Sequence, residues 1–303
     1  MIHPIDNKQS LTVIIPIYNE AETLVYLVPQ LLSICGKKGW KIIFVNDGST
    51  DNSAQILALS EKESYVKVIH HKINRGYGGA LKSGISNTNT SYIVTIDGDG
   101  QHNIYDIEKI FQFAKEKDAD LVIGNRSHYE NANYYRGFGK WIIRNFARIL
   151  IPFTIHDLNS GFKVYQTELA KKYIHLCPNS AAFSDVITLT FISQYNLVLE
   201  YPISVQERKV GKSTVGIHTA FEVIIEIINL SLLFNPLKIF ISISTICWAI
   251  GLSWGIPIVI AGRGVSVGAM LAIVLGALFF ALGLIANQLS AIRMESLDNP
   301  QKN

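Results

Sequence analysis

The 303-residue sequence is short of cysteine and short of charge. Its three cysteines, Cys35, Cys177 and Cys247, lie far apart and form neither a CxxC pair nor a zinc-ligand spacing. That excludes a disulfide framework and a structural zinc site; the three read as reduced, buried, small apolar residues. Charged residues make up 17%, against roughly 25% in ordinary soluble domains, while 49% of residues are hydrophobic and the mean hydropathy is +0.24. Disordered and collagenous chains are thereby excluded. Net charge is only +3, and +2 of it belongs to the segment from Leu237 onward, where Lys238, Arg263, Arg293 and Lys302 stand against Glu295 and Asp298. With no large basic field, nucleic acid is not expected as a main partner. The first fifteen residues lack the basic start, apolar run and cleavage site of a secretory signal, so the bulk of the chain is expected in the cytoplasm.

The missing charge is concentrated near the C-terminus. No Asp, Glu, Lys, Arg or His occurs from Ile239 to Gly262 or from Gly264 to Ile292; Arg263 alone separates the two runs. Each run exceeds the about 20 apolar residues needed to span a bilayer. Lys238 and Arg293 flank the pair on one side and Arg263 sits on the other, a bias that agrees with both termini being cytoplasmic. Just upstream, Glu222, Glu226 and Asn229 make a narrow polar stripe among Phe221, Ile224, Ile225, Ile228 and Leu232. This pattern is either an amphipathic helix lying in the membrane interface or an ordinary core helix. Gly251, Gly255, Gly276 and Gly283 permit close helix contacts, and a homo-oligomer is compatible with them.

From Leu11 to about Tyr165, β-branched runs alternate with helical patterns. The runs are Leu11–Pro16, Lys41–Asn46, Val66–His70, Ser91–Asp97 and Asp120–Asn125. Near-continuous apolar strands with crossover helices predict a parallel sheet covered on both faces. Such an open α/β sheet binds ligands beyond the carboxyl ends of its strands. The residues there are Tyr18-Asn19-Glu20, Asp47-Gly48-Ser49-Thr50-Asp51, Asn74 through Gly79, Asp97 through His102, and Gly124-Asn125-Arg126.

Asp97-Gly98-Asp99-Gly100-Gln101 is the sharpest cluster. Two carboxylates two residues apart at a strand end offer hard oxygen ligands to Mg²⁺ or Mn²⁺, which in turn bridges phosphates. The plain alternative is an Asp-Gly turn. The loop Asn74-Arg75-Gly76-Tyr77-Gly78-Gly79 is not a dinucleotide fingerprint, because Leu81 falls where GxGxxG needs its third small residue. Its glycines still permit close backbone approach at a helix start, as an anion site or as a simple tight turn. Lys82 is either a ligand contact or a solvated charge.

These motifs, in this order, resemble the family 2 glycosyltransferases of GT-A fold, and most nearly their polyprenyl-phosphate group, similar to dolichol-phosphate mannose synthase. The likeness runs over nearly the whole chain. It implies a GT-A-type, Rossmann-like, mostly parallel domain over 1–215, a juxtamembrane amphipathic helix over 216–236, two transmembrane helices over 237–293 and a cytoplasmic tail over 294–303. It also implies roles. Pro16, Tyr18, Glu20, Asp47, Gly79, Lys82, Asp97 and Ser160 would bind the nucleotide sugar, with Asp97, Asp99 and Gln101 holding Mg²⁺ or Mn²⁺. Asp99, Arg126 and Asp185 would be catalytic. Asp157-x-x-Ser160-Gly161-Phe162-Lys163 matches a segment beside the sugar, and Gly124-Asn125-Arg126 one near the phosphates.

The lipid phosphate would be met by Arg136, Lys140, Arg208, Lys212 and Ser213. The choice among Arg136, Lys140 and Arg144 stays open, as does a merely solvated helix face for all three. Arg208 through Ser213 suits a phosphate clamp, a strip drawn to anionic headgroups, or both. The expected reaction is inverting transfer from a nucleotide sugar, UDP-glucose foremost, to polyprenyl (undecaprenyl) phosphate at the cytoplasmic face of a membrane. A metal-dependent transferase with a hydroxyl acceptor is one alternative, and a catalytically silent membrane scaffold is another. No Gln-x-x-Arg-Trp segment of the polysaccharide synthases is present.

Overall fold

A computed structural model describes residues 10–126 and 154–204, residues 225, 228 and 229, and residues 231–298. These form two compact units, one of residues up to 225 and one from 228 onward.

The first unit is a seven-stranded sheet with helices between its strands. The strands are β1 (Leu11–Ile17), β2 (Lys41–Asn46), β3 (Val66–His70), β4 (Tyr92–Thr95), β5 (Leu121–Asn125), β6 (Lys163–Gln166) and β7 (Val198–Pro202), in spatial order β3-β2-β1-β4-β6-β5-β7. Helices α1 (Ala21–Lys38), α2 (Ser53–Ser60), α3 (Tyr77–Ser86) and α4 (Asp106–Glu116) connect the first five strands, and α5 (Thr167–Tyr173) and α6 (Phe183–Ser193) follow β6. All seven residues of β1 are buried, as a central strand covered on both faces requires.

The five expected strands are present and lie in one sheet. Two further strands escaped the apolar pattern, because β6 is four residues carrying a lysine and β7 carries Glu200. β6 also runs antiparallel to both β4 and β5, so the sheet is mostly rather than wholly parallel. The chain steps from β1 to β2 on one side and reaches β4 on the other. This reversal of strand order opens a crevice at the carboxyl ends of β1 and β4.

The second unit is a helical hairpin. Helix α7 (Pro236–Ile260) and helix α8 (Val267–Asp298) are joined by a turn that holds Arg263. At 1.5 Å per residue the 25 residues of α7 reach about 37 Å, enough for the hydrocarbon core. The glycines singled out in the sequence lie on the seam between these two helices. A Cβ on Gly276 would come 2.5 Å from the Trp248 ring, and one on Gly251 would come 2.7 Å from Ile273. The close approach lets Ser244 Oγ donate to Gly276 O at 2.8 Å and Trp248 Nε1 donate to Ile273 O at 3.2 Å. Outside the seam, Ile246, Ile260, Leu278, Ile285 and Leu289 are exposed. An apolar exterior of this extent matches lipid rather than water.

Of the expected interfacial helix over 216–236, residues 231–234 are helical, and most of the rest lies outside the described residues.

Candidate active site

Asp97 follows β4 at the mouth of the crevice, and both its carboxylate oxygens are held. Tyr77 Oη donates to Oδ1 at 2.8 Å, and His102 Nε2 lies 3.0 Å from Oδ2. Tyr77 comes from the glycine loop that opens α3, and His102 from the loop after β4, where its ring also packs edge-on against Phe162. Gly161 completes the enclosure: a Cβ there would fall 2.3 Å from Oδ1 and 2.4 Å from Oδ2, so a side chain at this position would displace the carboxylate. Thr95 Oγ1 fixes Gly161 by donating to its carbonyl at 2.8 Å. Burial pushes the Asp97 carboxyl toward the neutral form, but the bond and charge of His102, the Tyr77 hydroxyl and the charge of Arg126 outweigh it. The net effect holds its pKa below the usual carboxylate value. Burial and the neighbouring Asp97 raise the Tyr77 hydroxyl well above its ordinary value, so Tyr77 remains a donor.

Asp99 lies in the next turn, where its Oδ1 accepts the Gln101 backbone N–H at 3.1 Å. Among the described residues no group of three or more His, Cys, Asp or Glu stands close enough to hold a metal unaided. A magnesium-type ion needs no such group, since it is bound by one or two carboxylates plus substrate phosphates and waters. The two aspartates fit that donor set.

The loops after β1 and β2 are zipped together. Asn19 N–H donates to Ser49 Oγ at 3.0 Å, Thr50 N–H to Asn19 Oδ1 at 2.8 Å, and Ala21 N–H to Asp51 Oδ2 at 3.0 Å. Pro16 is buried within β1, Tyr18 is exposed at the rim, and the half-buried Glu20 accepts from Thr23 Oγ1 at 3.2 Å. Asp47 is buried; its Oδ1 lies 2.6 Å from His71 Nδ1 and accepts the Arg75 N–H at 2.9 Å. Asp47 thereby ties β2 to the start of the glycine loop.

The glycine loop packs against residues 178–180. Gly76 has φ +87°, and a Cβ on it would sit 2.5 Å from Asn179 O. Gly79 N–H donates to that same carbonyl at 3.2 Å, and Lys82 Nζ donates to Asn179 Oδ1 at 2.8 Å. Asn179 thus buttresses the loop that delivers Tyr77 to Asp97.

Arg126, at the end of β5, forks onto Asp157 through Nε and Nη2 and reaches Asn159 Oδ1 at 2.7 Å. Ser160 is fully buried, its Oγ accepting the Phe162 N–H at 3.3 Å. Asp185 lies in the first turn of α6, beside Ser184, whose side chain adjoins the Tyr77 hydroxyl. Tyr77, Asp97, Arg126, Ser160 and the start of α6 therefore share one region. Arg136, Lys140, Arg208, Lys212 and Ser213 lie outside the described residues.

Several partners in this region carried no role in the sequence reading. Tyr77, His102 and Gly161 stood inside quoted motifs, yet only the fold shows that all three touch Asp97. Lys163 closes the Asp157–Lys163 motif, and nothing in the local sequence marks it as buried. It is fully buried in β6 and donates to Leu158 O at 2.8 Å and to Ser184 O.

Comparisons with known proteins agree with this architecture. Undecaprenyl-phosphate 4-deoxy-4-formamido-L-arabinose transferase of Edwardsiella ictaluri is 23% identical over 298 residues, covering 94% of this chain and 90% of that protein. Glucosyl-3-phosphoglycerate synthase of Mycobacterium tuberculosis, solved with Mn²⁺, UDP-glucose and phosphoglyceric acid, aligns with a TM-score of 0.58 at 15% identity. The alignment covers 74% of this chain and 80% of that one. The same enzyme with Mg²⁺ and UDP aligns at 0.57 and 14%, over 74% and 79%. These structures share the fold. Residues 235–292 match the GtrB C-terminal hairpin, which coincides with α7 and most of α8. Residues 12–174, more than half of the 303-residue chain, match glycosyl transferase family 2. The chain belongs to glycosyl transferase family 2.

Proposed function

We propose that this protein transfers a sugar from a nucleotide diphosphate sugar, UDP-glucose foremost, to a polyprenyl phosphate at the cytoplasmic face of a membrane. The observation that carries the reading is the enclosed Asp97 carboxylate, with Asp99 beside it, at the strand-order reversal of a family 2 domain that is followed by an apolar hairpin. The Edwardsiella ictaluri relative, whose name contains undecaprenyl phosphate, supports the acceptor class.

In this reading Pro16, Tyr18, Glu20 and Asp47 line the nucleoside side, and Gly79, Lys82 and Ser160 the diphosphate-sugar side. Asp97, Asp99 and Gln101 hold Mg²⁺ or Mn²⁺, which when bound neutralises charge on the donor diphosphate. Arg126 adds a fixed positive charge next to Asp97. A lipid phosphate oxygen attacks the anomeric carbon in line as the bond to the nucleoside diphosphate breaks, so configuration inverts and the nucleoside diphosphate leaves with the bonding pair. A phosphate monoester is already an oxyanion near neutrality, its second pKa being about 6, so it needs positioning more than deprotonation. Arg136, Lys140, Arg208, Lys212 and Ser213 meet that phosphate.

A hydroxyl acceptor is the competing reading, and Asp185 is the observation behind it, because a buried carboxylate near the donor site can take a proton. Asp185→Asn separates the two. A hydroxyl acceptor requires near-complete loss of turnover, whereas a phosphate acceptor leaves a milder deficit. The direct test is transfer of labelled sugar from a panel of nucleotide sugars to polyprenyl phosphate in detergent, with Mn²⁺ and with chelator.

A further inference from the structure

Lys163 is the one fully buried lysine among the described residues, and the reaction scheme above makes no use of it. It sits in β6, paired with Thr95 of β4 on one side and Ile123 of β5 on the other. Its ammonium reaches two segments far apart in sequence. One is the loop 157–161, where it donates to Leu158 O at 2.8 Å; the other is the first turn of α6, where it donates to Ser184 O.

Both segments carry site residues. The loop holds Asp157, which grips Arg126, and Gly161, which sits against Asp97. The turn holds Ser184, whose side chain adjoins the Tyr77 hydroxyl, and Asp185. An isolated ammonium costs several kcal/mol to bury, so it persists where carbonyls and carboxylates compensate it. The charged groups facing it are Asp185 on α6, Asp157 on the loop and Arg126 at the end of β5.

We infer that Lys163 is a positioning residue, whose ammonium locks the loop carrying Asp157 and Gly161 to the turn carrying Ser184 and Asp185 and so fixes these two segments of the site relative to one another. The alternative is a buried lysine that merely satisfies two carbonyls. The inference rests on the proposed glycosyl transfer for its kinetic consequence, but not for its structural one. Burial pushes the lysine's pKa down to about 7 against the pull of Asp185 and Asp157, so its charge is held by those partners rather than by solvent.

The test uses the full-length protein in detergent and the variants Lys163→Met, Lys163→Arg, Asp185→Asn and Lys163→Met/Asp185→Asn. Calorimetry with UDP and Mn²⁺ reports donor binding, labelled transfer to polyprenyl phosphate reports kcat and KM, and hydrogen exchange reports the two segments. Lys163→Met is expected to bind UDP within about threefold of wild type while kcat falls about a hundredfold, the size of effect that displaced groups produce. Lys163→Arg restores most of the rate, and the double variant is no slower than the slower single one. Exchange in 157–162 and in 183–187 speeds up together, while the loops after β1 and β2 are unchanged.

An unchanged kcat, additive losses in the double variant, or faster exchange in only one segment overturns the inference. Should Lys163→Met not fold, Lys163→Arg decides: transfer within about threefold of wild type supports the lock, and a loss beyond about tenfold with UDP binding intact overturns it. Hydrogen exchange needs no acceptor. If wild type transfers nothing to polyprenyl phosphate and both segments still loosen together, the acceptor reading has failed and the lock stands.

Discussion

Arg126 and Asp157 form a two-pronged ion pair, with Nε 2.8 Å from Oδ2 and Nη2 2.9 Å from Oδ1, and the Arg126 backbone N–H adds a third bond to Oδ2 at 3.1 Å. This geometry fixes the plane of the guanidinium, which a point charge such as lysine cannot reproduce. Arg126→Lys is therefore expected to lower kcat by about tenfold or more with little change in thermal stability, because lysine keeps the charge and loses the fork. Steady-state kinetics beside a melting curve check it.

The same pair makes stability depend on acid. Burial works to raise the Asp157 carboxyl, but the bonds and charge of Arg126 more than offset it, so its pKa in the folded chain lies below the unfolded value of about 3.9. A depressed carboxylate contributes stability above the unfolded pKa and loses it as pH falls through the folded one. Asp97 has the same sign. Stability should hold from neutrality to about pH 4 and decline below it, and Asp157→Asn should flatten that decline while costing about 3 kcal/mol at neutral pH. Denaturant melts of both proteins between about pH 3 and pH 7 measure it.

Tyr77→Phe removes one hydroxyl from Asp97 Oδ1 and leaves the ring. A hydrogen bond to a charged group contributes about 1.5 kcal/mol or more, so binding of UDP with Mn²⁺ should weaken by roughly tenfold. Calorimetry reads the change, and equal affinity would show that His102 alone holds the carboxylate.

Gly161→Ala places a methyl where the Asp97 oxygens lie, at 2.3 and 2.4 Å. The carboxylate must move, at an overpacking cost of about 1–3 kcal/mol. The expected outcome is a folded protein with a lower melting temperature whose melting no longer shifts with UDP and Mn²⁺.

Much of the fold and some of the site could be read from local pattern. β1, β2 and β4 announce themselves by apolar runs, and the Asp97–Gln101 loop by paired carboxylates after a strand, because these signals lie within a few residues of one another. β6 could not be found this way: KVYQ is short and pairs antiparallel between two strands distant in sequence. The partners of Asp97 were hidden for a related reason. Tyr77 is 20 residues before it and Gly161 lies on a different strand connection, so only the sheet brings them together. Lys163 was obscured by an ordinary expectation that lysine is solvated, which holds until two carbonyls and two carboxylates surround it.

The paired aspartates carry the account, and full-length protein in detergent with polyprenyl phosphate and labelled nucleotide sugar tests them directly. Wild type should form labelled lipid with Mg²⁺ or Mn²⁺ and lose the activity in chelator, and Asp97→Asn/Asp99→Asn should fold yet transfer about a hundredfold less or worse. Undiminished transfer by the double variant, or transfer indifferent to chelator, would contradict it.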